Sequence, residues 1–409
     1  MGFFVRGLIC GAKLHGTGGM GKAMRALGLM SGTSLDGVDV ALLDTDGENV
    51  VERGPAMTFP YDAETRALLV SAIVDAKSVT RRDARPGCLP DAERRVTEQH
   101  AAAIEGFLRR YDLARESIDI IGFHGQTVLH RPATAQLCLT ANGKPYETVI
   151  RGRTIQLGLG PKLAELTRMP VVYDMRAADV AAGGQGAPLA PVYHRALASQ
   201  LPQRPIAIVN IGGVANVTWI GRDGRLIAFD VGPGNAMIDD WMMRRAGLAR
   251  DEDGCAAAAG KVHDDIVRAY LTSAFFAAPA PKSLDRNAFA SEPIEGLSVE
   301  DGAATLAAFT AGALARSREH MPEEPQIWVI SGGGRRNRTI MMMLAGLVQH
   351  AVVPAEAAGF DGDAIEAEAW AYMAVRSIKG LPITFPGTTG VARPMTGGVL
   401  VEPQAQHAK

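Results

Sequence analysis

The chain has 409 residues, 47% of them hydrophobic and 21% charged, with a formal net charge of −2. A near-neutral balance leaves no electrostatic footprint for nucleic acid or for an anionic membrane surface, and the length points to two lobes rather than one core. Four scattered cysteines (Cys10, Cys88, Cys138, Cys255) form no CxxC pair, so they read as free thiols of a reducing cytoplasm, not as a disulfide framework or a zinc site.

Residues 1–23 are glycine-rich and only weakly apolar. They are too broken to span a membrane and lack an A-x-A cleavage pattern, so they read as a disordered extension or a start assigned too early. Leu27–Met30 is a predicted strand, SGTSLDG at 31–37 a hairpin turn, and Val38–Asp44 the returning strand, with Asp36-Gly37 supplying the turn chemistry. Residues 62–79 and 91–111 carry apolar side chains at three- and four-residue spacing and are predicted helices. Strands follow at Ile118–Phe123, Thr154–Leu157 and Pro170–Tyr173, with a helix around Leu163–Thr167.

A second half begins at the apolar run Pro205–Ile211, which ends in NIGGVAN; Val217–Ile220 and Leu226–Phe229 flank a GRDGR turn. Residues 236–320 are mainly helical with a break at APAPKSLDR, and Gln326–Ile330 is a strand ending in SGGGRRN. The expected organisation is therefore residues 24–200 as an N-terminal lobe and 201–409 as a C-terminal lobe, with a cleft between them.

Three glycine turns, at 31–37, 210–216 and 331–334, each follow directly on an apolar strand. Glycine lets backbone N–H groups approach phosphate oxygens without side-chain obstruction. Each turn alone is equally a hairpin that needs glycine for its backbone angles; three together point to a nucleotide. None fits the GxxxxGK[ST] pattern, and none is a GxGxxG opening a strand–helix–strand unit.

The motifs GLMSGTSLDGVDVALLD, GFHGQTVLHRP, VVYDMRAADVAAGGQGAPLAP, VNIGGVANVTWI, FDVGPGNAMIDDW, ISGGGRRN and TGVARPMTGGVL, in that order from about Ala26 to Val401, closely resemble the anhydro-N-acetylmuramic acid kinases of the sugar kinase/heat-shock-70/actin superfamily. The resemblance implies an α/β, two-lobed, actin-like ATPase (ribonuclease H-like) fold with a central nucleotide cleft. It implies ATP and Mg2+ as cofactors, with Gly32, Thr33, Ser34, Leu35, Asp36, Gly37, Val38 and Asp39 as the first phosphate turn. Asn210, Gly212, Gly213 and Asn216 would form the second, and Gly332, Gly333 and Gly334 the adenosine side. Many superfamily members carry an Asp before the first glycine of the first turn; this chain has Met30-Ser31 there. The metal ligands stay open.

The implied reaction lacks the usual acceptor, because the 1,6-anhydro bridge leaves no free 6-hydroxyl. A base must activate water against C1, in the manner of an inverting glycosidase, while O6 takes the γ-phosphoryl group. The resemblance places that base at Asp179. Asp174, five residues earlier, reads as a salt bridge or cap, and Arg176 as structural. By the same resemblance His124, Gln126, Asp230 and Glu366 are sugar-contacting candidates, whereas Glu368 reads as solvated. The expected substrate is 1,6-anhydro-N-acetylmuramic acid, the setting cell-wall recycling in the cytoplasm, and the assembly a homodimer, with no nucleic acid or membrane partner. The rival readings are an ordinary hydroxyl kinase for another amino sugar and a non-catalytic nucleotide-dependent switch.

Overall fold

The computed structural model describes residues 22–404 apart from 33, 132–133, 140–144, 151 and 287, and describes 134–139 and 145–150 by backbone alone. The leader expected at 1–23 thus lies almost wholly outside the described residues, as does Thr33. The strands are β1 (Met24–Ser31), β2 (Gly37–Thr45), β3 (Val51–Pro60), β4 (Ile120–Arg131), β5 (Thr134–Leu139), β6 (Pro145–Ile150), β7 (Arg153–Leu157), β8 (Val171–Tyr173), β9 (Ile206–Ile211), β10 (Val214–Ile220), β11 (Leu226–Pro233), β12 (Ile327–Ser331), β13 (Ala351–Pro354) and β14 (Val399–Val401).

One sheet runs β14-β8-β4-β1-β2-β3, with β7 also paired to β4; a second runs β11-β10-β9-β12-β13; β5 and β6 form a separate hairpin. In the first sheet β1, β4 and β8 are parallel, and β2 is antiparallel to both β1 and β3. In the second, β9, β12 and β13 are parallel, and β10 is antiparallel to β9 and β11. Reading β3-β2-β1-β4-β8 against β11-β10-β9-β12-β13 gives the same order and the same directions. This duplicated topology is the two-lobed ribonuclease H-like, actin-like arrangement expected.

The duplication explains why the glycine turns recur: β1→β2 and β9→β10 are equivalent hairpins at equivalent sheet ends. Central strands are apolar throughout because helices cover both faces. Leu27 and Leu29 of β1, and Val209 and Ile330 of β9 and β12, are fully buried. One core layer packs β1 and β4 against helices Ala63–Ala76 and Leu89–Arg110, and another packs the second sheet against helices Ala236–Ala246 and Val299–Arg316. A third joins the lobes, combining Val172 and Met175 with Ile206, Ile208 and Trp370.

The chain crosses between sheets more than once. Helix Ile365–Ile378 packs on β1, β2 and β4, and the final strand β14 pairs with β8 in the first sheet. We therefore propose residue 200/201 as the first crossing between lobes, with the return crossing ahead of that helix. The helix is Ala-rich where it meets the sheet, and the strands answer with Gly28 and Gly122. A Cβ at Gly28 would fall 1.8 Å from the Ala367 carbonyl oxygen, and one at Gly122 2.0 Å from that of Trp370. Glu368 is not solvated as expected: it is 2% exposed and accepts a 2.7 Å hydrogen bond from the Tyr193 hydroxyl. Burial pushes its carboxyl up to about 7, because the helix is wedged between the lobes and has no free face there. Among the described residues no helix is long and apolar enough to cross a membrane.

Candidate active site

The first turn is held from beneath. Gln126 of β4 accepts from the Ser31 hydroxyl at 2.6 Å and donates to the Gly32 carbonyl at 3.1 Å. Its amide is thus occupied with bracing the turn, and the residue is fully buried. Leu35 takes a left-handed φ of 54° as the chain reverses, and a Cβ at Gly37 would fall 2.4 Å from the Phe59 carbonyl oxygen. The Ser34 hydroxyl donates to Asp36 at 2.6 Å. Val38 points into the core, while Asp39 faces the cleft and accepts from Thr58 at 2.5 Å.

Glycines that the fold itself does not require are the more telling ones. At Gly32, Gly212 and Gly213 the backbone φ is not left-handed, and the nearest atom to an added Cβ is 3.5 Å away or more. Neither strain nor packing demands glycine there; its effect is to leave the space above the turn free, as a close approach to phosphate needs. Gly332 and Gly334 are different. Gly332 has a φ of 71°, and a Cβ there would meet Asn210 Oδ1 at 2.1 Å; one at Gly334 would meet Ile211 at 2.2 Å. These two let the third turn nest against the second.

Each turn sends a residue to one cleft cavity of about 340 Å3, Asp39 from the first, Asn210 and Asn216 from the second and Gly332 from the third, beside Asp230, Glu366, Arg176, Lys282 and Asp363; Gly32, Gly212 and Gly213 lie outside its lining. Glu366 accepts from Asn210 Nδ2 at 2.9 Å. Burial raises its carboxyl, Arg176 opposes that, and Asp39 adds to it. Burial likewise raises Asp39, with Thr58 opposing. Asp230, pushed up to about 6 by burial, accepts from the Leu284 N–H at 2.8 Å, and its own N–H donates to the Lys282 carbonyl at 2.9 Å. It therefore fixes the 282–284 loop against β11. The Lys282 amine, pushed down to about 8 by burial, donates to the carbonyls of Phe275 and Phe276 at 2.9 and 3.1 Å; Arg286 pairs with Asp240. Both side chains anchor the loop. Beside Gly333 a smaller cavity is lined by Asn235, Asp239, Arg250 and Asn337.

Asp179 lies on the short helix Ala177–Ala181 and is 1% exposed. One carboxylate oxygen accepts from the Gly186 N–H at 2.7 Å, the other from the Thr389 hydroxyl at 2.6 Å. Glycine is needed alongside, because a Cβ at Gly184 would fall 2.3 Å from Asp179 Oδ2. Asp179 is not among the residues lining the cleft cavity, but Arg176 connects the two. Its Nη1 donates to the Gly186 carbonyl at 2.8 Å and its Nε to His124 Nε2 at 3.2 Å. Burial pushes the guanidinium down to about 10, with Glu366 and Asp179 opposing, so it is still charged at neutral pH. His124 is kept neutral by burial and by Arg176, packs against Trp370 with ring centroids 4.4 Å apart and the planes tilted by 33°, and lines a second cavity with Gln156, Tyr173 and Asp174. Asp174 is in an ion pair with Arg82, the salt-bridge reading.

The sequence reads Arg176 as structural and gives no signal for Asp363 or Asp239, all three of which line these cavities. A lone Arg carries no local pattern; only the fold reveals that its guanidinium is buried against the cleft.

A family model described as "Anhydro-N-acetylmuramic acid kinase" matches residues 24–403. A curated protein of that name from Agrobacterium fabrum is 50% identical over 388 residues, covering 93% of this chain and 100% of the relative. Another, from Azorhizobium caulinodans, is 52% identical over 387 residues, with 93% and 100% covered. Among solved structures, a ligand-bound xylulose kinase from Lactobacillus acidophilus aligns with a TM-score of 0.45 at 10% identity, covering 93% of this chain and 94% of that one.

Proposed function

The chain belongs to the anhydro-N-acetylmuramic acid kinase family, an ATP-using kinase family, and from that premise we propose that its cleft opens 1,6-anhydro-N-acetylmuramic acid with water and phosphorylates O6. The observation that carries this reading is the convergence of three glycine turns, two of them with unforced glycines, beside a buried Arg176 that leads to the Asp179 loop.

In this proposal the triphosphate lies between the turns at 32–39 and 210–216, with its adenosine toward Gly332–Gly334. The sugar lies at the Arg176 end, and His124 borders it. A water molecule gives one proton to the Asp179 carboxylate as its oxygen bonds to C1. The C1–O6 bond breaks, O6 bonds to the γ-phosphorus, and the bond to the β-phosphate oxygen breaks to release ADP. The sugar leaves as the 6-phosphate, its old bridge oxygen now bearing the phosphoryl group. The leaving O6 goes to phosphorus, so no separate acid need protonate it.

Magnesium fits the residues present. Asp39 and Glu366 face one cavity with carboxyls raised by burial, a state that a nearby dication reverses. These two would hold it, and its chemistry is to neutralise charge on the β- and γ-phosphates. Among the described residues no three His, Cys, Asp or Glu side chains converge as a preformed cage, and a phosphate-borne magnesium needs only one or two carboxylates. The cytoplasmic setting, the role in cell-wall recycling and a homodimeric assembly belong to the same proposal.

The test is ADP release with Mg-ATP and, in turn, 1,6-anhydro-N-acetylmuramic acid, N-acetylmuramic acid or no sugar. Release with the anhydro sugar alone is expected. Release only with the open sugar would identify an ordinary hydroxyl kinase, and ATP binding without sugar-dependent turnover a nucleotide switch.

A further inference from the structure

Asp179 sits in the first lobe, yet half of its hydrogen bonding comes from a segment seated on the second sheet. The short helix Pro386–Thr389 packs on the start of β11 so closely that a Cβ at Gly387 would fall 2.1 Å from the Leu226 carbonyl oxygen. Gly390, next in the chain, faces Pro281 of the loop held by Asp230 and Lys282. From this seat the fully buried Thr389 reaches Asp179, 210 positions earlier in sequence. Its hydroxyl donates to Asp179 Oδ1, and its carbonyl accepts from the Gln185 N–H at 2.7 Å. Gln185 also receives the Ser283 hydroxyl at 3.3 Å.

We infer that Thr389 is a positioning residue for the reaction: its hydroxyl fixes the rotation of the Asp179 carboxylate and ties that rotation to the seating of residues 386–389 on β11. The inference rests on the reading of Asp179 as the base that takes the water proton. An ionised carboxylate only accepts, so the Thr389 hydroxyl must donate to it, and a charge-assisted O–H bond of this kind is short and directional. Gly186 N–H fixes one oxygen from the loop and Thr389 the other from the segment seated on β11. With both engaged, the remaining lone pairs have one orientation in which to meet a water. With Thr389 removed, only the Gly186 N–H orients the group. Glycosyl transfer to water is sensitive to such aim, because a misplacement of about 1 Å can cost about 10²-fold.

The experiment compares Thr389→Val, Thr389→Ser and Asp179→Asn for kcat, KM of both substrates, ATP affinity and thermal midpoint. Val keeps the shape and deletes the donor; Ser keeps the donor and deletes a methyl. The expected result is a kcat about tenfold or more lower for Val, with ATP affinity and KM within about twofold, and a Ser variant within about threefold of the parent. A Val variant with the parent's kcat, beside an inactive Asp179→Asn, would overturn the inference while leaving Asp179 as the base. Equal losses in Val and Ser, following the thermal midpoint, would reduce Thr389 to packing and also overturn it. An active Asp179→Asn enzyme would overturn the underlying assignment instead, and the inference with it.

Discussion

Asp179→Asn is expected to lower sugar-dependent ADP release by about 10³-fold, with ATP affinity within about twofold of the parent. The size follows from the proposed role, since a positioned general base contributes roughly 10²–10⁴-fold. The substitution suits the site because it preserves the surroundings. The Asn carbonyl oxygen can still accept from the Gly186 N–H, and its amide can donate to the Thr389 hydroxyl oxygen, which is free to accept. What is lost is the ability to take a proton. Steady-state ADP release and a nucleotide-binding titration on the same preparation separate the two effects. A variant that keeps more than about a tenth of parental turnover would move the base elsewhere, with Glu366 the next carboxylate to test, since it lines the cleft.

Gly28→Ala and Gly122→Ala are each expected to be strongly destabilising. Each added Cβ would meet backbone of helix Ile365–Ile378: 2.0 Å to the Trp370 oxygen from position 122, and 1.8 Å to the Ala367 oxygen and 2.7 Å to the Ala371 nitrogen from position 28. No rotamer relieves a backbone contact, so the helix must lift from the sheet and carry Glu366 and Trp370 away from the cleft. Overpacking usually costs 1–3 kcal/mol; with rigid backbone on both sides, a loss of at least about 3 kcal/mol is expected, read from chemical denaturation. Gly346→Ala is the control. It lies in the last turn of helix Arg338–Val348 with nothing within 4 Å of an added Cβ, and replacing a glycine of compatible backbone is expected to add about 0.4–1 kcal/mol. A Gly122→Ala protein as stable as the parent would mean that the helix does not sit on the sheet as described.

These two predictions also mark how far the sequence could be read. Strands such as β1, β9 and β12 were legible because they are buried on both faces and end in glycine turns, so the duplicated core of the fold was visible. β3 was not. It is an edge strand paired only to β2, its consecutive Glu52 and Arg53 are both exposed, and Gly54-Pro55 interrupts its pattern. β13 and β14 are only four and three residues long and sit at edges. The sequence places Glu368 in solvent; packing of helix Ile365–Ile378 between the lobes buries it instead. Within the site, local motifs brought out the turns. Gln126 is a sugar-contacting candidate by resemblance, while in the structure its amide braces the first turn. The Asp179–Thr389 bond had no sequence signal at all, since it spans 210 positions.

The most direct test of the account is to run the reaction in ¹⁸O-labelled water with Mg-ATP and 1,6-anhydro-N-acetylmuramic acid. The sugar phosphate is weighed immediately after quenching, beside a sample of unlabelled product held in the same water to correct for exchange at C1. The proposed reaction predicts one ¹⁸O per sugar phosphate, carried on C1, with an unlabelled phosphoryl group and one ADP released per sugar opened. A sugar phosphate without label, or label appearing in inorganic phosphate, would contradict it.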